Sequence, residues 1–275
     1  MKYLWADLRL IERKVTQSEK ILLLLDYDGT LTPIADRPED ALLPSRTKDD
    51  LALLLQIPRY LVGIVTGRAV DDVAALVGIE DVIYAGNHGL EILYPGGCWV
   101  HPEAARLRPK LAEIRERLNE ELGHIPGLLL EDKGVTVSIH YRLVAGDPRE
   151  EVQRGAQKVL EPFAVNFQLT EGEKVLEVRP AVFFHKGTVI HTITQMVNVK
   201  ESDLVIYIGD DETDEDAFAA LKPKDIGIRV GESASSRAAY FALDTEEVCV
   251  LLEALGQWGG FDPTNINLDY LSPFA

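Results

Sequence analysis

Asp26-Tyr27-Asp28-Gly29-Thr30-Leu31 directly follows the apolar run Ile21–Leu25, which sets two carboxyl groups two positions apart where a buried strand should end. A carboxylate can attack phosphorus to form an acyl phosphate, and a second carboxyl beside it can handle the leaving-group proton. The same residues could instead make a polar turn or open a calcium loop. Spacing argues against the calcium loop: an EF-hand begun at Asp26 requires Gly where Leu31 stands and Glu where Arg37 stands. Begun at Asp210, it meets Glu215 and Leu221 at those places.

Three further segments carry groups that suit phosphate. Thr66-Gly67-Arg68 follows the apolar run Leu61–Val65 and offers a hydroxyl, a free backbone and a guanidinium where a helix should begin. His185-Lys186-Gly187 opens another expected helix, and Lys186 could neutralise a phosphoryl group during transfer. Gly209–Asp216 packs six carboxylates into the seven positions from Asp210 to Asp216. Such crowding is costly without a cation, and magnesium bound through one or two carboxylates and waters would relieve it. Each segment also has a plain structural reading: Thr66 as a helix cap, Lys186 as a solvated lysine, the acidic run as charge on a helix dipole.

The elements that must position these groups alternate. The apolar runs Ile21–Leu25, Leu61–Val65 and Leu204–Ile208 read as buried strands of a parallel sheet. Helical patterns occupy Lys48–Gln56, Val70–Val77, Gly187–Val197 and Asp214–Leu221. This predicts an α/β fold whose ligands bind beyond the carboxyl ends of the strands. Between about Pro102 and Pro180 the texture changes to helix, strand, strand, helix, strand, strand, with Leu107, Leu111, Ile114, Leu118 and Leu122 at helical spacing. The expected organisation is a core from 1–102 and 181–275 with a small α+β module inserted at 103–180.

In the inserted module, alternation along Val135–Arg142 puts Thr136, Ser138, His140 and Arg142 on one face. Val175, Glu177 and Arg179 share a face, as do Leu129, Glu131 and Lys133. One sheet face would therefore be rich in hydrogen-bonding groups, which suits sugar hydroxyls and equally suits a solvated surface.

Composition limits the partners. Lys plus Arg number 28 against 45 Asp plus Glu, a net charge of -17 that opposes a nucleic-acid-binding surface. An anionic substrate would need local cations to reverse the potential. Only Cys98 and Cys249 are present, too few for a disulfide framework or a zinc cluster. Met1–Lys14 mixes charged and apolar residues without a signal-peptide core, and no run approaches the roughly 20 apolar residues that span a bilayer. The expectation is a cytoplasmic protein that acts as a monomer, with no membrane partner.

In order and content the four segments resemble the haloacid dehalogenase (HAD) phosphatases: an Asp-x-Asp-Gly-Thr loop, a Thr after the second strand, a Lys, and a Gly-Asp-Asp segment. The chain is similar, more narrowly, to trehalose-6-phosphate phosphatases from Leu23 to about Leu252. The segments that carry this likeness are Leu25–Leu31, Ile64–Arg68, Tyr84–Leu90, Glu131–Gly134, His140–Arg142, Lys174–Pro180 and Gly209–Phe218. The resemblance implies a Rossmann-like HAD core with an αββαββ cap of type C2 that closes over a sugar phosphate. It implies Asp26 as nucleophile, Asp28 as acid and base, and Thr66 and Lys186 on the phosphoryl oxygens. Magnesium (Mg2+) would sit on the carboxylates of Asp26 and Asp210 and the carbonyl of Asp28, with Asp211 and Asp214 around it. Gly67, Arg68, His88, Glu131, Lys133, His140, Arg142 and Glu177 would contact substrate. The synthase-like domain fused to some members is absent from these 275 residues. Two rivals remain open at this point: a phosphatase of the same cap type acting on sucrose phosphate or a glycosyl-phosphoglycerate, and a non-catalytic scaffold. The presence of both Asp26 and Asp28 weighs against the scaffold.

Overall fold

A strand covered on both faces can be apolar at every position, and Ile21–Leu25 is buried throughout. Its alternate residues enter two separate cores, Leu23 and Leu25 on one side of the sheet and Leu22 and Leu24 on the other. The computed structural model describes residues 1–260 apart from Asp36, Pro38, Glu39, Asp147 and Glu173. The expected core segment from 261 onwards lies outside the described residues.

The first part of the chain forms β1 (Lys2–Tyr3), α1 (Leu8–Gln17), β2 (Ile21–Leu25), α2 (Ser45–Gln56), β3 (Tyr60–Val65), α3 (Val70–Val77), β4 (Ile83–Gly86), β5 (Glu91–Tyr94) and β6 (Gly97–Val100). Then come α4 (Pro102–Leu122), β7 (Leu129–Asp132), β8 (Val137–His140), α5 (Arg149–Leu160), β9 (Phe167–Gly172) and β10 (Val175–Pro180). The chain returns through α6 (Lys186–Met196), β11 (Leu204–Gly209), α7 (Asp214–Ala220), β12 (Ile226–Val230), β13 (Tyr240–Ala242) and α8 (Thr245–Trp258).

Among the described residues the large sheet runs β1-β13-β12-β11-β2-β3-β4-β5-β6. It is parallel from β1 through β4, and β5 and β6 extend it as an antiparallel hairpin. Strands β11, β2 and β3 lie side by side, so the loops that follow them leave one edge together. The fold is α/β, as the alternation of elements predicts.

The inserted module has its own antiparallel sheet, β7-β8-β10-β9. Helices α4 and α5 cover one face, where Leu111, Ile114 and Leu118 meet Val152 and Ala156 and the sheet contributes Val137, Ile139, Leu176 and Val178. The αββαββ order matches the sequence expectation. The strand expected over Val135–Tyr141 is shorter, ending at His140, so Arg142 sits in the turn beyond it and the alternation does not reach that residue. Among the described residues no helix is long and apolar enough to cross a membrane, and Cys98 and Cys249 are free.

Candidate active site

The backbone of Asp26 continues β2, its N–H donating to the Ile208 carbonyl of β11 at 2.9 Å. The side chain is only 6% exposed. The loop then turns at Gly29 with φ 81°, and a Cβ there would lie 2.1 Å from Asp210 Oδ2. Only glycine meets both the left-handed backbone and the close approach. Thr30 Oγ1 donates to Asp210 Oδ1 at 3.2 Å, which ties the first acidic loop to the second.

Beneath these loops Asp214 is fully buried, and its hydrogen-bonding capacity is used up. Oδ1 accepts from Lys186 Nζ at 2.6 Å and from Tyr207 Oη at 2.5 Å. Oδ2 accepts from the Asp210 and Asp211 backbone N–H groups at 3.1 and 2.9 Å. Asp214 therefore shapes the acidic loop and anchors Lys186. Lys186 Nζ also lies 3.0 Å from Asp26 Oδ1. Burial works against its charge, but Asp26 and Asp214 outweigh it and hold the ammonium form above its ordinary range.

The acidic groups fit a cation. Carboxylate oxygens of Asp26, Asp210 and Asp214 lie within 4.8 Å of one another. Burial pushes the Asp26 carboxyl well up, against the pull of Lys186, and Asp214 and Asp210 add to the rise. Asp210 is pushed up to about 6, first by burial and then by Asp214. Two acids destabilised as anions, facing each other with oxygens uncommitted to backbone, form a hard-oxygen donor set suited to magnesium. Asp211 stands at the rim, its Oδ1 accepting from the Glu212 N–H at 2.6 Å.

At the neighbouring strand end, Thr66 is buried and its Oγ1 accepts the Arg68 N–H at 3.2 Å. Arg68 grips Asp28 at two points, Nε to Oδ2 and Nη2 to Oδ1, both at 2.7 Å. Its guanidinium also lies over the Tyr27 ring, 5.2 Å from the centroid, and Nη1 is 3.4 Å from Asp72. A guanidinium held on three sides is a fixed fork, so it sets the direction of the Asp28 carboxylate.

The inserted sheet turns its polar face to these loops. Glu131, Ser138 and Glu177 are register partners across β7, β8 and β10. Lys133 Nζ donates to the Gly67 carbonyl at 3.1 Å and lies 3.5 Å from Glu177 Oε1 and 4.0 Å from Glu131 Oε2. His140 Nε2 pairs with Glu131 Oε2 at 2.7 Å, and His88 Nε2 is 3.7 Å from Glu177 Oε2. Burial lowers His88 to about 4. The unfolded chain takes up that proton from about 6.5 downwards, so His88 lowers stability as pH falls from about 6.5 towards 4. His88→Gln should weaken this acid sensitivity in thermal melts across that window. An unchanged pH profile would mean that the ring is not held neutral.

A family profile described as trehalose-phosphatase matches residues 24–246. The chain belongs to the trehalose-phosphatase family. It is 33% identical over 270 residues to a probable trehalose-phosphate phosphatase of Oryza sativa subsp. japonica, covering 89% of this chain and 70% of the relative. It is similar in structure to a trehalose-6-phosphate phosphatase of Aspergillus fumigatus, with TM-score 0.64, 26% identity, and 94% and 99% of the two chains covered. A haloacid dehalogenase-like hydrolase of Bacteroides thetaiotaomicron shares the fold at TM-score 0.60 and 17% identity, over 86% of this chain and 98% of that one.

Within this trehalose-phosphatase architecture Asp26, Lys186, Asp210 and Asp214 form one cluster, and Arg68 joins the Thr66 loop to Asp28. The inserted sheet brings Lys133 to Gly67 and Glu177 to His88, with Glu131 and His140 paired beside Lys133. Three residues escaped the sequence reading. Tyr207 is a buried phenol in an otherwise apolar strand, and a buried hydroxyl demands a partner, which was a usable signal. Asn87 and Glu91 are buried as well, joined by a 2.9 Å bond from Asn87 Nδ2 to Glu91 Oε2. Glu91 in turn accepts from Arg108 Nη2 at 2.6 Å.

Proposed function

We propose that the protein hydrolyses trehalose 6-phosphate to trehalose and phosphate through an aspartyl-phosphate on Asp26, with magnesium as cofactor. The observation that carries this reading is the buried Asp26–Lys186–Asp214 cluster standing beside an Asp28 fixed by Arg68. The carboxylate oxygen of Asp26 attacks phosphorus in line, and the bond from phosphorus to the sugar oxygen breaks. Asp28, entering the cycle as the carboxylic acid with one oxygen released from Arg68, gives the departing sugar oxygen its proton; as the carboxylate it then takes a proton from a water that attacks the same phosphorus and restores Asp26. Lys186 and Thr66 face the phosphoryl oxygens, so positioning and charge supply most of the acceleration. Asp26 and Asp210, with the Asp28 carbonyl, would hold magnesium, and Asp211 and Asp214 would orient its surroundings. Bound there, the ion adds positive charge where carboxylates and phosphate crowd together.

The catalytic unit in this reading is 1–102 with 181–275, and 103–180 is the cap that recognises the sugar. Glu131, Lys133 and Glu177 present hydrogen-bonding groups at the cleft, with His140 and His88 flanking them. A net charge of -17 makes the local cations Lys186, Arg68 and Lys133 necessary for drawing in a phosphate ester.

A phosphate-release assay over trehalose 6-phosphate, sucrose phosphate, a glycosyl-phosphoglycerate and an aryl phosphate tests the substrate directly. Trehalose 6-phosphate should give the highest catalytic efficiency, and preference for another sugar would overturn its assignment. Replacing Glu131, Lys133 or Glu177 with Ala should leave sugar hydroxyls or cap groups unpaired. Each loss should cost about 1–3 kcal/mol, or about one to two orders of magnitude in kcat/KM on trehalose 6-phosphate. The aryl phosphate, which lacks those hydroxyls, should react nearly as before. Equal slowing of both substrates would assign these residues to fold or chemistry instead.

A further inference from the structure

We infer that Asn87 is a positioning residue, its amide setting the cap over the phosphate-gripping loop so that Lys133 and Glu177 meet the sugar in line with the reacting phosphorus. This rests on the function proposed above and adds a residue to which no catalytic or binding role has been given.

Asn87 is fully buried and holds a left-handed backbone, φ 52°, a conformation asparagine tolerates better than most residues. Its backbone N–H donates to the Arg68 carbonyl at 2.7 Å, and the next N–H, of His88, donates to the Thr66 carbonyl at 2.9 Å. The loop after β4 is thereby fastened to the loop after β3. The side chain faces the inserted module. Asn87 Nδ2 donates to the Lys133 carbonyl at 3.0 Å and to Glu91 Oε2 at 2.9 Å, while Oδ1 accepts from Thr136 Oγ1 at 2.9 Å. Thr136 Oγ1 is also 3.3 Å from Glu177 Oε1.

The two ends of Lys133 show why this arrangement has consequences for recognition. Its carbonyl is held by Asn87, and its ammonium reaches back to the Gly67 carbonyl beside Thr66. Lys133 is thus clamped at one end to the loop after β4 and at the other to the loop after β3 that carries Thr66. Glu91, the other partner of the amide, is held by Arg108 from α4, so a second part of the module is tied to the same point. An amide is needed here because the site asks for one acceptor and two donors at once. A carboxylate at this position would face Glu91 and the Lys133 carbonyl as a third acceptor.

The test uses the full chain loaded with magnesium. Asn87→Gly keeps the left-handed backbone accessible and deletes the amide. Asn87→Asp keeps the shape and removes both donors. Both should lower kcat/KM on trehalose 6-phosphate by about tenfold or more, while p-nitrophenyl phosphate stays within about threefold. Amide hydrogen exchange over 133–137, measured without substrate, should quicken in both variants. Thr136→Val should lower kcat/KM less when added to Asn87→Gly than it does in the wild type, because the hydroxyl has by then lost Asn87 and keeps only its 3.3 Å contact with Glu177. Wild-type exchange and kinetics in Asn87→Gly would overturn the inference, and so would equal slowing of both substrates. A wild-type protein that ignores trehalose 6-phosphate but hydrolyses another sugar phosphate would sink only the substrate assignment. The exchange rates and that sugar's ratio to p-nitrophenyl phosphate would then decide the role of Asn87.

Discussion

Asp26→Asn is expected to lower phosphate release by several orders of magnitude and leave the fold intact. The amide keeps the size and backbone bonds of aspartate but is a far poorer nucleophile. The N–H to the Ile208 carbonyl persists, and Lys186 keeps its partner Asp214 at 2.6 Å. Burial already pushes the Asp26 carboxyl well above its usual range, so the folded state gains little from its charge. The melting temperature of the metal-free protein should therefore not fall. Rapid-quench measurements on the wild type should show phosphate covalently held by the protein, and the variant should show none. Near-normal turnover in a folded Asp26→Asn protein would remove Asp26 from the mechanism.

The loops of the candidate site were legible in the sequence because the strands beneath them are buried on both faces. Ile21–Leu25, Leu61–Val65 and Leu204–Ile208 are unbroken apolar runs, and the first polar residue after each marks the sheet edge. The rest of the sheet gave weaker signals. Strands β4 and β5 are four residues each and are split by Asn87-His88-Gly89, so neither builds a period. The hairpin of β5 and β6 had a usable sign in Pro95-Gly96, and α8 had one in Val248, Leu251, Leu252 and Leu255 at helical spacing.

Within the site, residue types were readable and pairings were not. Six carboxylates crowd Asp210–Asp216, and nothing local says which is buried. Packing selects Asp214, which lies under Tyr207 and Lys186, residues 7 and 28 positions away in the chain. Arg68 reads as a phosphate ligand from its place after a strand, yet the structure sets it against Asp28, 40 positions earlier. The clasp at Asn87 spans 46 and 49 positions to Lys133 and Thr136. Such partners meet only through the tertiary fold, and no periodicity carries them.

Removing magnesium should abolish activity, and restoring it should return activity in full. The argument starts from Asp26 and Asp210, whose acids are both raised by burial and by neighbouring carboxylates. In the metal-free protein the carboxylates of Asp26, Asp210 and Asp214 crowd one another, and Lys186, with the Thr30 hydrogen bond to Asp210, offsets only part of that repulsion. A dication between them would remove that repulsion, so the folded state binds it and the unfolded chain, which has no such cluster, does not. Linkage then ties binding to stability: at a free concentration about 100 times Kd the gain is about 2.7 kcal/mol. For a chain of this size that corresponds to a rise of about 5–10 °C in melting temperature. Asp210→Asn should lose most of that rise, since it removes a ligand and part of the repulsion together. Calcium, larger and less demanding of octahedral geometry, should stabilise the fold while supporting little turnover. Full activity after exhaustive chelation, or a melting temperature indifferent to magnesium in the wild type, would exclude a metal between Asp26 and Asp210.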